Sequence, residues 1–139
     1  MSDDKSTFDD FVRALGQQME VPLDPGPGLI RLDLNGVPFM IAYDPVQWGE
    51  DGLLMACDFG EIPQEDRCAI LESILAANRD LHGLHSPVFA IDVDSGHLLS
   101  MSVLPLEGLD PSQTMLTMMK HVAVVDCWEK THFLSTEPS

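Results

Sequence analysis

The sequence predicts an α+β fold: a mainly antiparallel five-stranded sheet with three helices, in the order α-β-β-β-α-β-β-α. Three observations predict it. Apolar residues of helical period open the chain, recur in its middle and close it. Two hairpin signals, Asn35-Gly36 and Asp94-Ser95-Gly96, each lie between runs of strand character. The strand runs come as a group of three and a group of two, not singly between helices, which favours antiparallel pairing. The 139 residues suit one domain, 1–139, with an ordered core over about 6–133.

The first helix is expected from Ser6 to Met19. Ser6 or Thr7 can cap it, and Asp9 and Asp10 in its first turn complement the helix dipole. Phe8, Phe11, Val12 and Leu15 recur at i, i+3, i+4 and i+7, which makes one apolar stripe. Val21 to Gly28 holds three prolines and two glycines and reads as an irregular connector. Leu29 to Leu34 reads as a strand with Ile30, Leu32 and Leu34 on one face and Arg31 and Asp33 on the other. Val37 to Tyr43 returns after Asn35-Gly36. Pro38 cannot donate to a ladder, so it belongs at a strand end or edge. An acidic loop holding Trp48, Asp44 to Gly52, precedes a third strand, Leu53 to Phe59. Its nearly continuous apolar character suggests a central position.

Gly60 to Pro63 should break that strand. Pro63 suits a first helical turn, with Glu65 and Asp66 at the positive end of the dipole and the helix running to about Asn78. Ile70, Leu71, Ile74, Leu75 and Asn78 line one face, and Asn78 can also cap its end. After a turn from His82 to Pro87, Val88 to Val93 and His97 to Pro105 form the second hairpin. Both faces of its first strand are largely apolar, so both should be covered. Asp110 and Pro111 open the last helix as cap and first residue. It should reach about Phe133, and its broad apolar surface predicts cover on more than one side. Thr131 to Ser139 reads as a frayed tail.

Charge narrows the function. Seven Lys+Arg against 23 Asp+Glu give −16 at pH 7, on a chain that is 45% hydrophobic. An acidic disordered chain would be poor in large apolar residues, so this one folds. Phosphate backbones and anionic membrane surfaces repel such a charge, which argues against nucleic acid and membranes as partners. No apolar run approaches a spanning helix, and MSDDKSTFDD lacks the basic and apolar segments of a secretory signal, so a cytoplasmic protein is expected.

Chemical motifs are few. Gly26-Pro27-Gly28 has no following helix or Lys-Ser/Thr pair and is a turn, not a phosphate loop. Cys57, Cys68 and Cys127 are odd in number and lack metal-ligand spacing; they read as reduced small hydrophobes. Cys68 lies near a helix N-terminus, but Glu65 and Asp66 beside it disfavour a thiolate. His82 and His85 with Asp80 could bind only adventitious metal, and His121 and Cys127, six apart, do not share a helix face. The dispersed acids resemble no calcium loop. No cofactor or metal is expected. The eight methionines, with Met115, Met118 and Met119 together on the last helix, suit either a core or an adaptable binding surface.

Several strings then carry a resemblance in their order and spacing. They are the leading helix with Phe8, Phe11 and Leu15; Leu53-Leu54-Met55-Ala56-Cys57 before Gly60-Glu61-Ile62-Pro63; Ile74-Leu75-Ala76-Ala77-Asn78; Phe89-Ala90-Ile91-Asp92 with Ser95-Gly96; and Leu104-Pro105-Leu106 before Leu109-Asp110. Together they resemble the class I type III secretion chaperones, the Tir chaperone (CesT-like) family. The resemblance implies a non-enzymatic homodimer in the bacterial cytoplasm. It would bind the N-terminal region of a secreted effector in extended form and hold it for the secretion apparatus and its ATPase. It places effector contacts near Phe8, Phe11, Leu15, Leu32, Leu34, Met40 and Ala42, and the dimer interface at Leu71, Ile74, Leu75, Phe89 and Ile91. A YbjN-like sensor or scaffold of the same fold, and a small Cys/His enzyme, are the alternatives.

Overall fold

The computed structural model describes residues 4–48, 52–81 and 87–134. Its elements run α1 (Asp4–Met19), β1 (Leu29–Leu34), β2 (Val37–Tyr43), α2 (Pro45–Trp48), β3 (Gly52–Glu61), α3 (Arg67–Leu81), β4 (Val88–Ile91), β5 (His97–Pro105) and α4 (Pro111–Thr131). All strand pairs are antiparallel and the sheet order is β1-β2-β3-β5-β4. The predicted class and element order hold, with three long helices and the single extra turn α2.

The first hairpin sets the register. Asn35 and Gly36 both have positive φ, 52° and 81°, as a two-residue turn matching the strand twist requires. Leu34 therefore faces Val37, and Asp33 faces Pro38. In the alternation of an antiparallel ladder Pro38 then turns its nitrogen away from β1. The β2–β3 ladder begins only at Phe39 opposite Cys57, so the missing donor costs no ladder bond. Gly28, at φ 121°, closes the other end. Its carbonyl accepts from the Tyr43 amide at 2.7 Å, and a Cβ there would stand 2.9 Å from the Tyr43 carbonyl oxygen.

β3 is central, as its apolar run predicts, but Gly60 does not end it. The register shifts between Asp58 and Gly60, a β-bulge with Gly60 at φ 89°, and pairing continues to Glu61. The Asp58 carboxylate accepts from the Gly60 amide at 2.8 Å and stabilises the bulge. The next helix also starts later than Pro63. Asp66 adopts φ 60°, which breaks any helical path from Pro63, and α3 begins at Arg67 with the Asp66 carbonyl accepting from the Ile70 amide. Glu65 and Asp66 are thus outside the helix. Similarly, α1 begins at Asp4, ahead of Ser6 and Thr7, so neither caps it and Asp9 and Asp10 fall in its second turn. The predicted acidic loop contains α2, whose start is held by the Asp44 carboxylate accepting from the Val46 amide. Residues 49–51 lie outside the described residues.

The helices α1 and α4 pack on each other and on one face of the sheet. Phe8, Val12 and Leu15 of α1, Ile41, Leu53 and Leu98 of the sheet, Ile70 of α3, and Met118 and Trp128 of α4 are its most enclosed members. α4 starts as predicted: Asp110 is extended and accepts from the Ser112 amide at 3.0 Å. It stops at Thr131, not Phe133, because His132 and Phe133 both turn to positive φ, 50° and 61°. The turn folds Phe133 back, so the chain does not fray from Thr131. Phe133 lies 5.1 Å from Trp128 and 5.4 Å from Phe89, and Phe89 meets Phe59 edge-on at 5.4 Å. Residues 135–139 lie outside the described residues.

Candidate partner-binding surfaces

Strand alternation gives the sheet two unlike faces. Ile30, Leu32, Phe39, Ile41, Leu53, Met55, Cys57, Phe59 and Leu98 belong to the core under the helices. The opposite face carries two adjacent cross-strand rows by register. One is Asp33, Pro38, Asp58, Leu99 and Ala90; the other is Arg31, Met40, Ala56, Met101 and Val88. Between them lies a groove of about 420 Å³ lined by Arg31, Asp33, Pro38, Met40, Ala56, Asp58, Asp92 and Leu99. Its floor is apolar and its polar groups are three carboxylates and one guanidinium.

Asp58 is fixed at the groove by two partners. Besides the Gly60 amide, its carboxylate meets His97 Nδ1 at 3.0 and 3.1 Å across the β3–β5 pair. That hydrogen bond, reinforced by the charges of Asp58, Glu61 and Asp92, raises the His97 pKa above its usual 6.5. Asp92 accepts from the Asp94 amide and the Ser95 hydroxyl in the β4–β5 turn, and these bonds lower its pKa. The predicted strand Val88–Val93 ends at Ile91 because this turn begins at Asp92. The Asp58–His97 pair carries no signal in the sequence, since it depends on the long-range β3–β5 register. Arg31 and Asp33 were legible through alternation alone.

A second surface lies along α3, β4 and α4. The Asn78 carboxamide accepts from the Phe89 amide at 2.6 Å and donates to the Phe89 carbonyl at 3.0 Å. Asn78 is therefore not a helix cap; it takes the place of a missing strand beside β4. Around this clamp the chain leaves apolar residues uncovered. Leu75 is 67% exposed, Val88 44% and Ile91 40%. α4 buries Thr114, Met118, Val125 and Trp128 but exposes Leu116, Met119 and Val124. Among the described residues of a single chain α4 is covered on one side, where one helix face meets the sheet and α1, so the wider cover expected from its composition is not supplied by them. A cleft of about 150 Å³ between Val124, His121, Phe59, Phe89 and Pro87 adjoins the same surface.

The predicted site residues divide accordingly. Phe8 and Leu15 are fully buried, and Phe11 and Leu32 nearly so. Leu34, Met40 and Ala42 are half-buried, with Met40 in the groove. Of the residues assigned to the dimer, Ile74 is buried, Leu71 and Phe89 are half-buried, and Leu75 and Ile91 are exposed.

The cysteines do not form a common group. Cys57 is buried and its thiol is pushed up to about 12, chiefly by burial and then by the charge of Asp58. Cys68 and Cys127 are exposed, and all three are free thiols, in keeping with the reading of reduced cysteines. His121 points its Nδ1 at the Thr117 carbonyl, 2.9 Å away, within its own helix. His82 and His85 lie outside the described residues. Among the described residues no group of three or more His, Cys, Asp or Glu could hold a metal ion, and no helix is long and apolar enough to cross a membrane.

Comparison with known proteins places this geometry. No curated protein matches the sequence. Among solved structures, a chain of the HopA1–SchA chaperone–effector complex matches with a TM-score of 0.72 and 13% identity, covering 94% of this chain and 99% of its own. A chain of the ExsC–ExsE complex matches with a TM-score of 0.72 and 15% identity, covering 91% and 93%. A chain of the ExoT–SpcS complex from Pseudomonas aeruginosa matches with a TM-score of 0.60 and 20% identity, covering 86% and 95%. At these identities the likeness establishes the fold. The sequence profile of the Tir chaperone protein (CesT) family matches residues 10–129, and the chain belongs to that family.

Proposed function

We propose that the protein is a non-enzymatic, cytoplasmic class I chaperone of type III secretion. It binds the N-terminal region of a secreted effector in extended form and keeps it soluble and ready for the secretion apparatus and its ATPase. The observation that carries this reading is the family match over residues 10–129. The complexes that share the fold include a chaperone–effector pair. The surfaces suit the role. At the outer edge of β1 the backbone groups of Leu29, Arg31 and Asp33 face away from β2, where an extended partner can add a strand. Leu34, Met40 and Ala42 offer apolar contacts beside it.

The protein acts as a homodimer joined through α3 and β4. Leu75 and Ile91 are large, apolar and exposed in the single chain, and a second copy would remove them from water. The test is purification of the tagged chain from a bacterium expressing a type III secretion system. Recovery of a secreted protein that binds through its N-terminal region supports the reading. Repeated recovery of none overturns it.

A further inference from the structure

We propose that the groove on the open sheet face takes a segment of the client in which apolar side chains are accompanied by lysine or arginine. The proposal rests on the client-binding reading and adds the chemistry that the groove selects. Two properties of the groove carry it. Its floor is apolar, with Pro38 exposed, Met40 and Leu99 half-buried and Ala56 at its buried base, on a face that α1 and α4 leave free. Its rim holds Asp33, Asp58 and Asp92 against Arg31 in the groove, with His97 paired to Asp58 beside it. An uncharged apolar segment would satisfy the floor and leave the rim carboxylates partly desolvated. An acidic segment would be repelled. A cationic side chain beside each apolar anchor satisfies both parts.

The rim is also polarised. Register places Asp33 and Asp58 in one cross-strand row, with Asp92 beyond it at the β4–β5 turn, while Arg31 stands in the neighbouring row with Met40. The cations of the segment therefore lie toward the Asp33–Asp58 row, and its neutral or acidic residues toward Arg31. Asp58 and Asp92 are held by hydrogen bonds to Gly60, His97, Asp94 and Ser95, so their carboxylates are pre-positioned and do not have to be ordered by the ligand.

The test uses three synthetic peptides of about ten residues, the length of a long strand. In them leucine alternates with lysine, glutamine or glutamate. Affinities are read by fluorescence anisotropy at low and high salt. The wild-type protein should bind the leucine–lysine peptide about tenfold more tightly than the leucine–glutamine one, an advantage that salt erodes. The Met40 methyl signal should shift on binding while that of the buried Met118 does not. Asp33→Asn with Asp92→Asn should reduce the advantage to about threefold or less; Asn keeps one acceptor oxygen for the Asp94 amide, and its NH2 group can donate to the Ser95 hydroxyl in place of the second. Glu20→Gln with Glu65→Gln changes the net charge equally at exposed sites outside the groove, and should leave the advantage intact.

Equal loss in both double variants, or binding without a Met40 shift, overturns the proposal in favour of diffuse attraction by the acidic surface. The two readings fail separately. A client recovered by the wild type whose affinity is unchanged in the Asp33/Asp92 variant overturns the groove chemistry and leaves the chaperone reading. Recovery of no client overturns the chaperone reading itself.

Discussion

The apolar faces of α1 and of the α3–β4 edge look alike in sequence and meet opposite fates. Phe8, Phe11 and Leu15 on α1 vanish into the core beneath Tyr43 and α4. Leu75 on α3 and Val88 and Ile91 on β4 stay exposed. Both sets are large and apolar, and apolar character says only that a surface wants cover. Which molecule supplies the cover is decided by topology. α1 and α4 lie over the sheet and satisfy one another. α3 runs beside the edge strand, where the described residues place nothing further on it. An apolar stripe that its own chain buries is a stability element, and one that the chain leaves open marks a surface for something else.

The comparison can be broken at its buried side first. Phe8→Ala should cost about 3–5 kcal/mol, because it empties a fully enclosed ring site, and should lower the urea midpoint sharply. A loss of partner binding with unchanged stability would instead place Phe8 in a groove. Next in size is the clamp within the α3–β4 region. Asn78→Ala removes both bonds to Phe89 and should cost about 1–3 kcal/mol, with faster hydrogen exchange at the Phe89 amide. Unchanged exchange would mean the clamp does not hold the edge strand.

At the exposed side, Leu75→Glu should alter the stability of the folded chain by only about 0.5 kcal/mol, since the residue has no core contacts to lose. Light scattering should nevertheless report a fall from dimer mass to the single-chain 15.3 kDa. An unchanged dimer would move the interface elsewhere. The smallest effect concerns His97. Its pKa is raised by the bond to Asp58, so the stabilisation it provides is fully present below pH 6.5 and fades as pH rises through its higher folded-state value. His97→Gln should flatten that dependence in urea titrations across this range. An equally steep profile in the variant would assign the pH dependence to another group.

Much of the fold is legible locally. The Asn35-Gly36 turn, the limits of β1, β2 and β5, the central place of β3 and the Asp110–Pro111 helix start all follow from short-range chemistry. Three of the misplaced boundaries share one cause. Gly60, Asp66 and His132 each adopt positive φ, and each redirects the chain at a point where composition predicts continuation or termination of an element. Gly60 bends a strand that carries on, Asp66 delays a helix, and His132 ends one early. The candidate surfaces are less legible. The pairing of Arg31 with Met40 and of Asp33 with Pro38 follows from the first turn, but bringing Asp58 beside His97 needs the β3–β5 register. The double role of Asn78 is equally long-range, since the same residue at a helix end reads as a cap.

The clamp at Phe89 also decides how this protein can and cannot polymerise. The outward-facing backbone positions of β4 are Pro87, which has no amide hydrogen; Phe89, whose amide and carbonyl are occupied by Asn78; and Ile91. That side of the sheet cannot template a long ladder. The other side, β1, keeps its outward groups available. A sheet open at one side only can pair once with its own copy through that side, and growth of the self-paired sheet then terminates. The molecule can therefore offer an edge for strand addition at cellular concentrations without that edge becoming the seed of a fibre.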